Sequence, residues 1–106
     1  MKYLNFGTKI AKRSSHNFKH SSLVIKGGKI LSFGYNHDSI HAEVNALKDL
    51  WPKNRKNSIV INFRIGKDGS LRNSFPCEDC LEYCKRVGVR KIIYSIGVLG
   101  FLEVKL

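Results

Sequence analysis

The residues of this chain best suited to chemistry are His41 and Glu43, within His41-Ala42-Glu43-Val44, and the pair Cys77 and Cys80, within Phe75-Pro76-Cys77-Glu78-Asp79-Cys80. One imidazole and two thiols make three soft-to-borderline ligands, the number a catalytic zinc ion takes when its fourth position is left for water. A structural zinc would want a fourth protein ligand. Pro76 suits the first turn of a helix, and a cysteine on either side of that turn can reach one metal. The partial positive charge of a helix N-terminus further favours thiolates there. Glu43 lies two residues past His41, so on a helix it is offset from the imidazole and can lean over the open position of the ion. A carboxylate so placed moves protons rather than binding metal. The bland alternative makes His41 an ordinary helix histidine and the two cysteines ordinary buried thiols.

His-x-Glu followed by Pro-Cys-x-x-Cys resembles the signature of the zinc-dependent cytidine deaminase superfamily. The resemblance implies His41, Cys77 and Cys80 as ligands of Zn2+, Glu43 as the general acid/base, and Ala42 as a substrate contact. An N-terminal helix, a Gly27-Gly28 hairpin and the run Gly34-Tyr35-Asn36 are similar to the start of deoxycytidylate-type deaminases. On this resemblance Asn36 binds the sugar or base of a substrate; as a residue following a strand it is also a turn former. The stretch before Pro-Cys-x-x-Cys lines the pocket in the superfamily, which makes Arg72, Asn73, Ser74 and Phe75 expected substrate contacts, Phe75 by stacking on a base. A Phe75 packed in the core is the alternative.

The elements that must position these groups follow from pattern. Residues 1–15 are expected to form a helix with Leu4, Ile10 and Ala11 inward and Gly7 weakening its interior. Residues 22–26 and 29–34 are β-type runs around Gly27-Gly28, a two-residue hairpin signal. Asp38 or Ser39 should cap the helix carrying His41 and Glu43, which would run to Leu50 with Val44, Leu47, Leu50 and Trp51 as apolar positions until Pro52 stops it. Asn45 in it is a candidate polar anchor. Residues 58–63 suit a central strand, 66–69 a turn, 78–87 a helix closed by Gly88, and 89–95 another strand. Cys84, one turn beyond Cys80, is expected to be a small buried residue, with a reserve ligand as the alternative. Residues 96–106 are too few for a further crossover helix and strand, so a last strand should run antiparallel to 89–95. The expectation is a single α/β domain over residues 1–106: a mixed five-stranded sheet with about three helices, its last two strands an antiparallel hairpin. The resemblance implies that these form three layers, α/β/α.

Composition bounds the partners. At 106 residues and 42% hydrophobic the chain suits one globular domain. No apolar run approaches a membrane span and the N-terminus has no continuous apolar segment, so a cytoplasmic or nuclear protein without membrane contact is expected. Three cysteines, two of them a ligand-like pair, suit a reducing compartment. The net charge of +11, from 19 Lys and Arg against 8 Asp and Glu, attracts polyphosphates. The expected function is therefore a zinc-dependent hydrolytic deaminase converting cytosine to uracil, with single-stranded DNA or RNA as the favoured substrate and Arg64, Lys67 and Arg72 as phosphate contacts. Free cytidine, deoxycytidine or dCMP is the alternative substrate. A non-catalytic zinc-binding module is a lesser one, against which Glu43 argues. The apolar turn with Ile96, Val98, Leu99 and Phe101 suggests a homodimer.

Overall fold

Two glycines start the sheet. Gly27 and Gly28 both adopt positive φ, 59° and 75°, the geometry of a tight hairpin whose twist matches its strands. They join β1 (Lys19–Lys26) to β2 (Lys29–Tyr35) as an antiparallel pair. The structure, a computed structural model, describes residues 2–98 and 100–106. It adds β3 (Ile59–Ile65), β4 (Lys91–Ser95) and β5 (Phe101–Lys105), giving a five-stranded sheet in the order β2-β1-β3-β4-β5. Among the described residues only β3 and β4 pair in parallel; β5 pairs antiparallel with β4, as expected. No helix among the described residues is long and apolar enough to cross a membrane.

Alternation along the central strands divides the core into two halves. Leu23, Ile25, Ile61 and Phe63 face one side, where Leu4 and Phe6 of α1 (Leu4–Ala11) cover them. Val24, Val60 and Ile92 face the other, against Ala46 and Leu47 of α2 (Ala42–Leu47) and Cys84 of α4 (Glu78–Arg86). The result is three layers, α/β/α.

Several expected boundaries shift, for physical reasons. The first helix is shorter than residues 1–15, and its Gly7 is buried because the Phe63 ring lies where a side chain would be: a Cβ there would come within 2.1 Å of that ring. The second helix ends at Leu47 rather than near Leu50. A proline clashes with the carbonyl four residues earlier and drives its predecessor to extended backbone, so the break falls upstream: Trp51 is extended and 73% exposed rather than inward-facing. Pro52 then opens a one-turn helix, α3 (Pro52–Arg55), which brings the helices among the described residues to four. Beyond β4, Val98 is exposed while Phe101 rests on Phe63 with ring centroids 5.6 Å apart. Leu99 lies outside the described residues.

Candidate active site

The starts of two helices meet above the α2/α4 face of the sheet. Neither Asp38 nor Ser39 caps α2; residues 37–40 close into a turn through reciprocal backbone bonds between His37 and Ile40, with Asp38 at φ 51°. The N-cap is instead His41 (φ −73°, ψ 155°), and Cys77 (φ −67°, ψ 165°) holds the same position on α4. Neither side chain makes a capping bond. Extended backbone at both positions swings imidazole and thiol off their helices towards each other. One turn into α4, Cys80 completes the group.

The ligand atoms of His41, Cys77 and Cys80 all lie within 4.8 Å of one another. His41 Nδ1 is 3.0 Å from Cys80 Sγ and 3.5 Å from Cys77 Sγ. One nitrogen and two sulfurs converging on one point fit Zn2+. Burial, then the neighbouring Glu43 charge, push the Cys80 thiol well above its ordinary pKa, so metal uptake must release its proton. Cys84 takes no part. It packs in the core with Val24, Val60 and Ile92, and burial raises its thiol to about 12.

Glu43 is only 6% exposed and sits in the first turn of α2. Its Oε2 accepts a hydrogen bond of 3.0 Å from Asn62 Nδ2. Asn62 is fixed in turn: its Oδ1 accepts from Ser22 Oγ at 2.6 Å, across the β1/β3 pair in which Ser22 and Asn62 are opposite partners. Burial raises the pKa of Glu43 above the usual carboxylate range; its own backbone N–H, Asn62, His41 and Cys80 pull the other way. The carboxyl therefore holds its proton more tightly than an exposed one would. Asn45, the candidate anchor, donates to Tyr35 O at 2.9 Å and ties α2 to the end of β2. Gly34 permits that close approach, since a Cβ there would meet Ala46 N at 2.6 Å.

A cleft of about 250 Å³ opens over these groups, smaller than the roughly 300–1,000 Å³ that encloses drug-sized ligands. His41, Ala42, Glu43, Pro76 and Cys77 line it together with Asn36 and Phe75. The Asn36 amide is largely occupied: Oδ1 accepts from His20 N at 2.9 Å and Nδ2 donates to Phe18 O at 2.7 Å. It holds the entry of β1 against the cleft and keeps one N–H and one lone pair spare. Phe75 is 48% exposed and braced edge-on by Tyr94, centroids 5.0 Å apart.

The other three residues preceding the cysteines lie elsewhere. Ser74 is buried, donating to Asn62 O at 2.9 Å and accepting from Ser95 N at 2.7 Å. Asn73 Oδ1 accepts from Phe75 N. Arg72 reaches a neighbouring cleft and pairs with Asp68 at 3.3 Å.

Sequence reasoning missed His16, Phe18 and His20, which complete the lining of the first cleft. Their signal is alternation: every second residue from 16 to 22 is His, Phe, His, Ser, one face of an extended chain. Across from it, residues 60, 62 and 64 of β3 supply partners in the pairs Val24/Val60, Ser22/Asn62 and His20/Arg64. One sheet face thus grades from dry core, through a satisfied polar pair, to a cleft mouth. Burial, then the Arg64 and His41 charges, lower the His20 pKa from 6.5 to about 4, which leaves a neutral imidazole at neutral pH.

Residues 2–96 match a family model described as the cytidine and deoxycytidylate deaminase zinc-binding region. Among solved structures, dCMP deaminase from the cyanophage S-TIM5, in apo form, aligns with a TM-score of 0.64 at 23% identity, over 86% of this chain and 77% of that one. Two forms of RibD from Acinetobacter baumannii align with a TM-score of 0.63 at 17% identity, over 86% of this chain. The chain spans only 26% of RibD. At these identities the likeness is one of fold. No curated protein matches in sequence.

Proposed function

Because the chain belongs to the cytidine and deoxycytidylate deaminase family, we propose that it is a zinc-dependent hydrolytic deaminase converting cytosine to uracil in single-stranded DNA or RNA. The observation that carries the chemistry is a buried carboxylate, Glu43, held by Asn62 beside a converging His41, Cys77 and Cys80. When bound by these three residues, the ion supplies the Lewis acidity that brings the pKa of a water near neutrality. Glu43 takes a proton from the attacking water and delivers it to the ring nitrogen, then assists proton transfer to the departing amine. A C–O bond forms at the amino-bearing carbon, the C–N bond breaks, and water plus cytosine become uracil plus ammonia. Ala42 and Phe75 bound the base, and Asn36 offers its spare N–H and lone pair to base or sugar.

The polynucleotide reading is supported by the net charge of +11 and by two exposed rings at the cleft, Phe18 at 61% and Phe75 at 48%, since exposed aromatics stack on unpaired bases. A strand already single also spares the few kcal/mol of extruding a base from a duplex. A free cytosine nucleotide is the second reading, favoured by a cleft sized for one base. The test is incubation of zinc-loaded protein with cytidine, deoxycytidine, their monophosphates and single-stranded oligonucleotides, followed by mass analysis for uracil. Product on oligonucleotides, falling steeply with salt, is expected. Turnover of free nucleosides or nucleotides alone hands the case to the second reading, and absence of product on every substrate removes the deaminase.

A further inference from the structure

Phe18 lines two recesses. Beyond the zinc cleft it borders a second, of about 340 Å³, formed with Asn17, Arg64, Gly66, Lys67 and Arg72. Residues 64–72 fold into a short hairpin extending β3: Arg72 N donates to Arg64 O at 2.8 Å and Gly66 N to Ser70 O at 2.9 Å. The fold therefore gathers three cations around one recess. The single carboxylate of this hairpin, Asp68, bonds Arg72 Nη2 at 3.3 Å but is also held by the Ser70 backbone N–H and hydroxyl.

Two details point to a ligand. Gly66 is not at positive φ, so its backbone does not require glycine. What its missing side chain leaves room for is the Arg72 guanidinium, whose Nε and Nη2 would lie 2.5 and 2.7 Å from a Cβ. Arg64 lies over the Phe18 ring, 4.4 Å from its centroid, and donates through Nη1 to Asn73 O at 3.3 Å. Its Nε is buried with no hydrogen-bond partner among the described residues. A guanidinium over an exposed ring, with a second guanidinium in the same recess, matches a phosphate next to a base.

We propose, on the premise of the single-stranded substrate above, that the second cleft binds the nucleotide adjacent to the target cytosine. Its phosphodiester rests on Arg64, Lys67 and Arg72, and its base on Phe18. An aromatic ring standing between two recesses serves consecutive unstacked bases.

The test reads binding without turnover. Zinc-loaded Glu43→Gln protein is titrated against a short fluorescein-labelled single-stranded DNA bearing one deoxycytidine, by anisotropy over a range of salt. Adding Arg72→Gln or Lys67→Gln should each weaken binding about 5–20-fold at low salt and flatten the slope of log Kd against log salt by about 0.7, the release expected per single-strand phosphate contact. Gly66→Ala should weaken binding like Arg72→Gln although no charge is removed. Phe18→Leu should weaken it with the slope unchanged. In competition, a deoxycytidine-containing dinucleotide should outcompete dCMP about tenfold, consistent with one added charge-assisted contact and a stack, and lose that advantage in Arg72→Gln. No binding at low salt, or variants that move neither affinity nor slope, overturns the proposal. So does dCMP competing as well as the dinucleotide and losing the same factor in Arg72→Gln, which would assign the cleft to the substrate's own phosphate. If the binding pattern holds while wild-type protein makes no uracil, the deaminase reading fails and the second cleft stands.

Discussion

On one side of Phe18 the polar side chains are short, buried and mutually satisfied; on the other they are long, cationic and open to water. Glu43, Asn62 and Ser22 form a chain of hydrogen bonds, with Glu43 6% and Asn62 2% exposed. Arg72 and Lys67 instead stand at a surface with one exposed carboxylate for a partner. On the proposed function the difference separates two tasks. Proton transfer needs a group whose position and pKa are set by desolvation and fixed dipoles, whereas holding a phosphodiester needs charge that gives up counterions cheaply and can exchange partners. Small structural changes should therefore be severe in the first region and graded in the second.

The largest expected effect falls on the buried carboxylate. Glu43→Gln should retain zinc, by metal analysis, while kcat falls by about 10²–10⁴-fold, the usual worth of a positioned acid/base. Unchanged turnover would take Glu43 out of the mechanism. Next, Asn62→Ala removes the donor to Glu43 and leaves Ser22 unpaired in the interior. A loss of about 1–3 kcal/mol for a buried unsatisfied group should appear both as a lower melting temperature and as a kcat drop with KM little changed. A variant that melts early but turns over normally would reduce Asn62 to a structural role.

Two glycines sharpen the contrast further. Gly7→Ala drives a methyl into the Phe63 ring and should destabilise by about 1–3 kcal/mol, the usual cost of overpacking, whereas Gly66→Ala meets only the movable end of Arg72 and should melt like wild type in thermal denaturation. The smallest effect concerns His20. Its folded pKa of about 4 lies below the ordinary 6.5, so between these values the unfolded chain binds a proton that the folded one does not. Its contribution to stability is complete above pH 6.5 and lost as pH falls towards 4. The melting temperature of wild type should thus decline more over that window than that of His20→Gln; parallel curves would show a His20 that titrates normally.

The His41, Cys77 and Cys80 cluster and the carboxylate beside it were legible in the chain because metal binding and proton transfer depend on residue type and short spacing. His41 and Glu43 sit two apart and Cys77 and Cys80 three apart, within reach of a single turn of helix. The Gly-Gly hairpin was also a local matter of turn chemistry. The helix boundaries were less so, because Pro52 acts on backbone upstream of itself, and α2 stops where that clash begins.

What supports and surrounds the site was decided only by the fold. Ser22 and Asn62 are 40 residues apart and Asn62 and Glu43 are 19 apart; they meet because β1 and β3 pair in one register and α2 crosses above them. A shift of that register by one residue would turn Asn62 and Arg64 to the opposite face. The same register aligns His20 with Arg64, and the hairpin at residues 64–72 brings Arg72 to the same cleft. Residue types alone carry the capacity for metal binding and proton transfer, but strand register and side-chain direction, which come from long-range pairing and from burial of one sheet face, determine which neighbours make that capacity specific.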